Sequence, residues 1–129
     1  MKPIIHKDQQ REQWRAGVET RMLISASSGA SNLCLFEQWV EPAAGAPTHW
    51  HPVEEVLTVV TGNAEMWIDE EHTVLTSGQS LVVPAFRKHG FRNVGSDTLH
   101  VHAVLASSSF EATFDGSAEP VKRWLLAAP

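Results

Sequence analysis

Residues 48–62 read THWHPVEEVLTVVTG and residues 78–93 read GQSLVVPAFRKHGFRN, and these two stretches decide the fold. In the first, His49 and His51 stand at i and i+2. On a β-strand such a pair projects from one face, about 6.6 Å apart along the backbone, so both rings can converge on one ion. Pro52 then permits a bend, and Glu55 opens the apolar run EVLTVV. In the second stretch His89 follows Pro84 and begins a later strand. Three imidazoles and a carboxylate make a mixed N/O donor set of the kind that suits Fe, Mn, Ni, Cu or Zn. The chain has a single cysteine, Cys34, which excludes both a thiolate cluster and an intramolecular disulfide.

Outward from these stretches, short apolar runs alternate with turn residues, which is the signature of strands. Strands are expected over 17–28, 33–40, 55–60, 64–69, 73–75, 80–83, 89–92 and 99–105. Gly62-Asn63 reads as a two-residue hairpin, and 76–79 and 93–97 read as further turns. Short helical turns are expected at 9–14 and 121–126. About eight short, closely spaced strands predict an all-β, antiparallel sandwich or barrel. A chain of 129 residues is expected to form one domain. The motif core is 43–93, flanked by an N-terminal strand and arm (1–32) and a C-terminal extension (107–129).

Composition narrows the function. The chain is 43% hydrophobic and 19% charged, which is globular rather than disordered. Ten Lys and Arg against fifteen Asp and Glu leave a net charge of −5. That balance argues against nucleic acid as a partner. The first twenty residues lack an apolar signal segment, and no apolar run approaches the roughly 18–20 residues of a membrane span. The cytoplasm is the expected location, with no membrane partner.

The two stretches together resemble the motifs of the cupin superfamily. The first motif, G-x5-H-x-H-x3,4-E-x6-G, is matched by His49, His51, Glu55 and Gly62. The second, G-x5-P-x-G-x2-H-x3-N, is matched by Gly78, Pro84, His89 and Asn93. The resemblance is to small single-domain cupins, whose motifs lie a short gap apart. It implies an antiparallel jelly-roll β-barrel with His49, His51, Glu55 and His89 holding a divalent transition metal inside it. Three positions depart from the pattern. Ala43 stands where the first glycine falls, Phe86 replaces the glycine of the second motif, and Gln79 occupies a position where Asp is common. All three lie in turns.

Other residues are candidates for the pocket. Leu57 and Val59 share the parity of Glu55, and Phe91 shares that of His89. With Met66 they are expected to wall the cavity while packing as ordinary core. Arg87 also shares the parity of His89 and is a candidate contact for an anionic group, against the simpler reading of a solvated loop cation. His100 and His102 form a second H-x-H on 99–105. If Leu99, Val101, Ala103 and Leu105 face the core, these histidines face outward; if not, they line the pocket as groups supporting the metal ligands. Both readings stand at this point.

The resemblance implies a metal-dependent enzyme of dioxygenase, isomerase or lyase/decarboxylase type, with Glu55 as catalytic base. Its substrate is expected to be a small organic molecule of aromatic or carboxylated character. The alternative is a non-catalytic module that binds a small molecule or a metal. Apolar residues on both parities of 55–60 point to a partner covering the outer face, and a homodimer is expected.

Overall fold

The computed structural model describes residues 1–126 of the chain. The described residues form twelve strands: β1 (Arg11–Arg15), β2 (Val18–Ile24), β3 (Cys34–Val40), β4 (Gly45–Trp50), β5 (Glu55–Thr61), β6 (Asn63–Ile68), β7 (Glu71–Thr76), β8 (Gln79–Val83), β9 (His89–Asn93), β10 (Leu99–Leu105), β11 (Phe110–Phe114) and β12 (Val121–Arg123). They form two antiparallel sheets of six strands, ordered β1-β2-β3-β10-β5-β8 and β12-β11-β4-β9-β6-β7. This is the expected jelly roll. Among the described residues no helix is long and apolar enough to cross a membrane.

The alternation decides what faces inward. In β10 Leu99, Val101, Ala103 and Leu105 are buried, while His100, His102 and Val104 between them are half-buried. The inner set joins Phe36, Val40, Leu57, Val59 and Met66 in one core between the sheets. Each such side chain contributes about 1.5–3 kcal/mol on leaving water.

Two expectations are corrected. Residues 9–14 and 121–126 do not form helical turns; they supply the edge strands β1 and β12. Neither segment has the 3.6-residue apolar repeat that would seat a helix on the sheet. Ladder partners are at hand instead: Arg11 pairs with Arg21, and Val121 with Ala112. The one helical turn near the N-terminus lies earlier, at His6–Asp8.

The three departures from the cupin pattern keep its backbone. Ala43 and Phe86 adopt φ of 68° and 67°, the left-handed conformation a glycine would take without strain. Each costs roughly 1–2 kcal/mol that glycine would avoid. Gln79 folds its side chain back, and Oε1 accepts a 2.8 Å hydrogen bond from the Thr76 amide across the turn. A longer amide thus does what a short Asp does in such turns.

On the outer face of the first sheet, β10 and β3 pair His102 with Glu37 and His100 with Trp39. Glu37 is 3% exposed although it faces away from the core. Its Oε1 accepts a 2.7 Å hydrogen bond from His100 Nε2, with His102 Nε2 at 3.5 Å, and its Oε2 accepts a 3.0 Å bond from Arg21. The Trp39 ring stacks on His100 at 5.0 Å, and Arg11 lies over Trp39. Burial raises the Glu37 pKa, but hydrogen bonds from His100 and Arg21 outweigh it and hold the carboxyl below its ordinary value. Burial, then the neighbouring His100, lowers His102.

Both shifts favour the fold at neutral over acidic pH. The stability from Glu37 is present above its unfolded pKa and is lost as pH falls through the lower folded value. Glu37→Gln is therefore expected to cost about 1–2 kcal/mol at pH 7, with the gap to wild type closing below pH 4. Denaturant melts from pH 7 to 3 check this, and two curves that stay parallel throughout would refute it.

Candidate metal centre

The site is built where the sheets open. β4 carries His49, His51 follows its end, Glu55 begins β5 and His89 begins β9. His49 lies directly opposite His89, and the β4–β9 register shifts between Ala46 and His49. Such a bulge re-aims side chains. Gly90 makes the approach possible. A Cβ there would fall 2.5 Å from the Trp67 ring and 2.6 Å from the Ala46 carbonyl oxygen.

All four side chains are buried, between 2% and 7% exposed. The three rings pack with centroids 4.3–5.0 Å apart. One ligand nitrogen from each lies within 4.8 Å of the others. Every Nδ1 has a backbone carbonyl as partner: Pro47 for His49 at 2.7 Å, Glu111 for His51 at 2.8 Å and Arg87 for His89 at 2.9 Å. A carbonyl only accepts, so each Nδ1 carries the proton. On a neutral ring, Nε2 is then a bare lone pair.

Glu55 faces these lone pairs. Its Oε1 is 3.1 Å from His89 Nε2, and its Oε2 is 3.5 Å from His51 Nε2. Neither Nε2 has a hydrogen-bond partner. Burial raises the Glu55 pKa, but His51 and His89 reverse this and hold the carboxyl well below the carboxylate range. Burial, then the charges of His89 and His51, pushes His49 down to about 3. Burial also lowers His51, but Glu55 outweighs it and the net shift is upward. An ionised carboxylate facing imidazole lone pairs in a buried pocket needs a cation among them. The donor set therefore fits a divalent metal, with three nitrogens and one oxygen. Cys34 is buried elsewhere in the core, and burial pushes its thiol up to about 11, so it competes for no metal.

The cavity beside these ligands holds about 30 Å³, room for little more than a water or two. Of the residues named from sequence, Leu57, Met66 and Phe91 line it. Val59 is fully buried but is not part of its lining. His100 and His102 are on the opposite face of their sheet, closed on Glu37, because the apolar half of β10 takes the inner side. Arg87 is exposed and paired with Asp69, not in the cavity. Inward-facing β3 residues Phe36 and Gln38, and Trp14, Arg15, Phe110 and Phe114, complete the wall. Trp14, Phe36, Phe110 and Trp124 form an aromatic cluster with centroids 4.9–5.8 Å apart, and Phe110 meets His51 edge-on at 5.5 Å. Motif spacing has no view of these residues, since they come from strands remote in sequence. The alternation of 34–40 was the one signal that could have found Phe36 and Gln38.

Known proteins resemble this chain in sequence and in fold. Polyketide synthase CurC of Streptomyces cyaneus is 34% identical over 79 residues, which are 60% of this chain and 49% of that protein. Protein SchB of Streptomyces halstedii is 32% identical over 83 residues, 63% of this chain and 60% of its own. The matches thus span about half of the first relative and three fifths of the second. The solved polyketide cyclase RemF from Streptomyces resistomycificus superposes with a TM-score of 0.75 at 22% identity, covering 98% of this chain and 87% of that one. At that identity the likeness is one of fold. The family profile described as Cupin domain matches residues 36–105, more than half of the sequence and the segment that carries all four candidate ligands. The chain belongs to the cupin family.

Proposed function

We propose that this cupin is a metal-dependent enzyme acting on a small, flat organic substrate of polyketide type. One observation carries the reading: two buried Nε2 atoms, of His89 and His51, stand 3.1 and 3.5 Å from the Glu55 carboxylate with no hydrogen-bond partner. His49, His51, Glu55 and His89 would hold the ion, of the Fe, Mn, Ni, Cu or Zn class. When bound, it supplies Lewis acidity and, if redox-active, an electron relay. The substrate class is supported by the names of the relatives, a polyketide synthase and a polyketide cyclase.

The chain's own residues define the rest of the chemistry. Leu57, Met66 and Phe91 keep bulk water from the site, which strengthens each electrostatic contact inside it. The three carbonyl partners lock the imidazoles in one tautomer and orientation. Glu55 is the base: Oε1 or Oε2 takes a proton from an acidic C–H beside a substrate carbonyl and returns it to another atom of the same molecule. That cycle needs no oxidant and suits cyclisation or isomerisation. The dioxygenase type differs in consuming O2, and a decarboxylase in releasing CO2. The second reading, a non-catalytic binding module, draws support from the small cavity volume of about 30 Å³.

Wild-type protein, reconstituted without oxygen and desalted, is expected to keep close to one divalent ion per chain by elemental analysis. His51→Ala and His89→Ala should each keep less than about a tenth of that, and saturating metal should raise wild-type stability by about 3 kcal/mol at 100 times Kd. A wild type that takes up none of Fe, Mn, Ni or Zn removes the basis of the reading.

Metal-loaded protein is expected to speed deuterium exchange at the acidic carbon of aromatic β-dicarbonyl compounds, followed by NMR in D2O. Glu55→Gln should lower that rate by about 10²–10⁴. Oxygen uptake on the same compounds would point to the oxygenase type instead. Metal binding without exchange or uptake favours the binding module.

The homodimer stands as part of the same proposal. On the outer face of the first sheet, Ile24, Leu35, Val104, Val56 and Val82 align strand by strand into one apolar row, and Val82 is 55% exposed. Sedimentation should give the mass of two chains; the mass of one would contradict it.

A further inference from the structure

Five of the six arginines end within 4.0 Å of a carboxylate: Arg11 by Glu19, Arg21 by Glu37, Arg87 by Asp69, Arg92 by Glu65 and Arg123 by Glu12. Arg15 has no carboxylate partner among the described residues. Its guanidinium makes one hydrogen bond, Nη1 to the Gly45 carbonyl at 3.3 Å. It is half-buried and lines the cavity that holds His49, His51, Glu55 and His89. A guanidinium does not shed its proton to escape burial, so a cation in this position calls for an anion.

A second cation stands beside it. Burial, then the charge of Arg123, lowers the Arg15 pKa. The ion pair of Arg123 with Glu12 is stretched to 4.0 Å, its Nε is buried without a partner, and its guanidinium lies 4.3 Å over the Trp14 ring. Arg15 and Arg123 border a cleft of about 250 Å³ walled by Trp14, Phe110, Phe114 and Val121. Trp14, Arg15, Phe110 and Phe114 also line the metal cavity, so the two spaces share a wall. Phe114 bridges them directly: Arg15 is 5.6 Å from its centroid and the His49 ring 5.3 Å. The cleft lies just under the roughly 300–1,000 Å³ of drug-sized pockets, which fits a ring acid of fragment size.

We propose that this cleft is an anion subsite, in which Arg15 and Arg123 grip the carboxylate of an aromatic substrate while its ring lies along Trp14 and Phe114. The reacting end then points across the shared wall toward His49 and Glu55. Guanidinium forks match carboxylates in plane, and an anion between two neighbouring guanidiniums relieves their repulsion. The subsite rests on the reading of the metal cavity as the active site and adds a charge requirement to the substrate.

The test is calorimetric titration of full-length protein, metal-loaded and EDTA-treated, with 2-naphthoate and with the neutral 2-naphthamide. Wild type is expected to bind naphthoate at least about tenfold tighter than the amide, as charge-assisted hydrogen bonds imply. Arg15→Gln should erase that preference while leaving metal content unchanged. Arg15→Lys should keep part of it, since charge survives without the planar fork, and serves if the glutamine variant folds poorly. Arg123→Gln should reduce it by a smaller factor. A preference that persists in Arg15→Gln, or a wild type without one, overturns the subsite. A protein that takes up no divalent metal yet prefers naphthoate through Arg15 would sink the metal reading and leave the subsite standing. Metal uptake without an Arg15-dependent preference would do the reverse.

Discussion

Each of His49, His51 and His89 gives its Nδ1 proton to a backbone carbonyl, and much else in the molecule is arranged to permit this. Two of the carbonyls, Pro47 and Arg87, lie two residues before the histidine they orient. The third, at Glu111, comes from β11, so the C-terminal part of the chain fixes the second histidine of the H-x-H pair. With all three Nδ1 protons committed, the Nε2 atoms are left free for a ligand, and those of His51 and His89 face one carboxylate. Such an arrangement is costly without a cation. It persists because the two sheets over-determine it: the rings are packed against each other, Gly90 lets β9 come close, and the β4 bulge sets the reach of His49.

The same burial that makes the centre costly also makes it useful. Aromatic side chains from β1, β3 and β11 close one side of the cavity, and Trp124, after β12, packs behind them. At this depth the Glu55 carboxylate and its imidazole neighbours act on each other strongly. The wall that excludes water is also the wall that Arg15 shares with the outer cleft. Charge, flat apolar surface and proton-accepting oxygen thus lie in sequence from the surface inward. The outer face of the first sheet works differently. Glu37, Arg21, His100 and His102 satisfy one another there, and the cluster is a structural network away from the cavity.

The clustering of His49, His51, Glu55 and His89 was legible in the sequence as a candidate ligand set, because three imidazoles and a carboxylate at motif spacing have few alternative explanations. The strands were legible because 33–40, 55–60 and 99–105 are short apolar, β-branched-rich runs bounded by turn residues. The departures at Ala43 and Phe86 were visible as letters, but their left-handed backbone was not; side chains at positive φ leave no mark in composition. The facing of His100 and His102 stayed open because a histidine fits either side of a strand. Packing of Leu99, Val101, Ala103 and Leu105 decided it. The edge strands β1 and β12 were missed because each is short and mostly polar, so its place is set by the neighbouring strand it pairs with and not by its own letters. Arg15 was invisible for the same reason: its meaning lies in the carboxylate it lacks.

The central claim is that the converging Nε2 atoms and Glu55 form one metal centre. X-ray absorption at the zinc edge of the zinc-loaded protein tests it most directly. The account predicts a shell of N/O ligands near 2.0–2.2 Å with the outer scattering of about three imidazoles and no sulfur. A spectrum with at most one imidazole, or with a Zn–S distance near 2.3 Å, would contradict it.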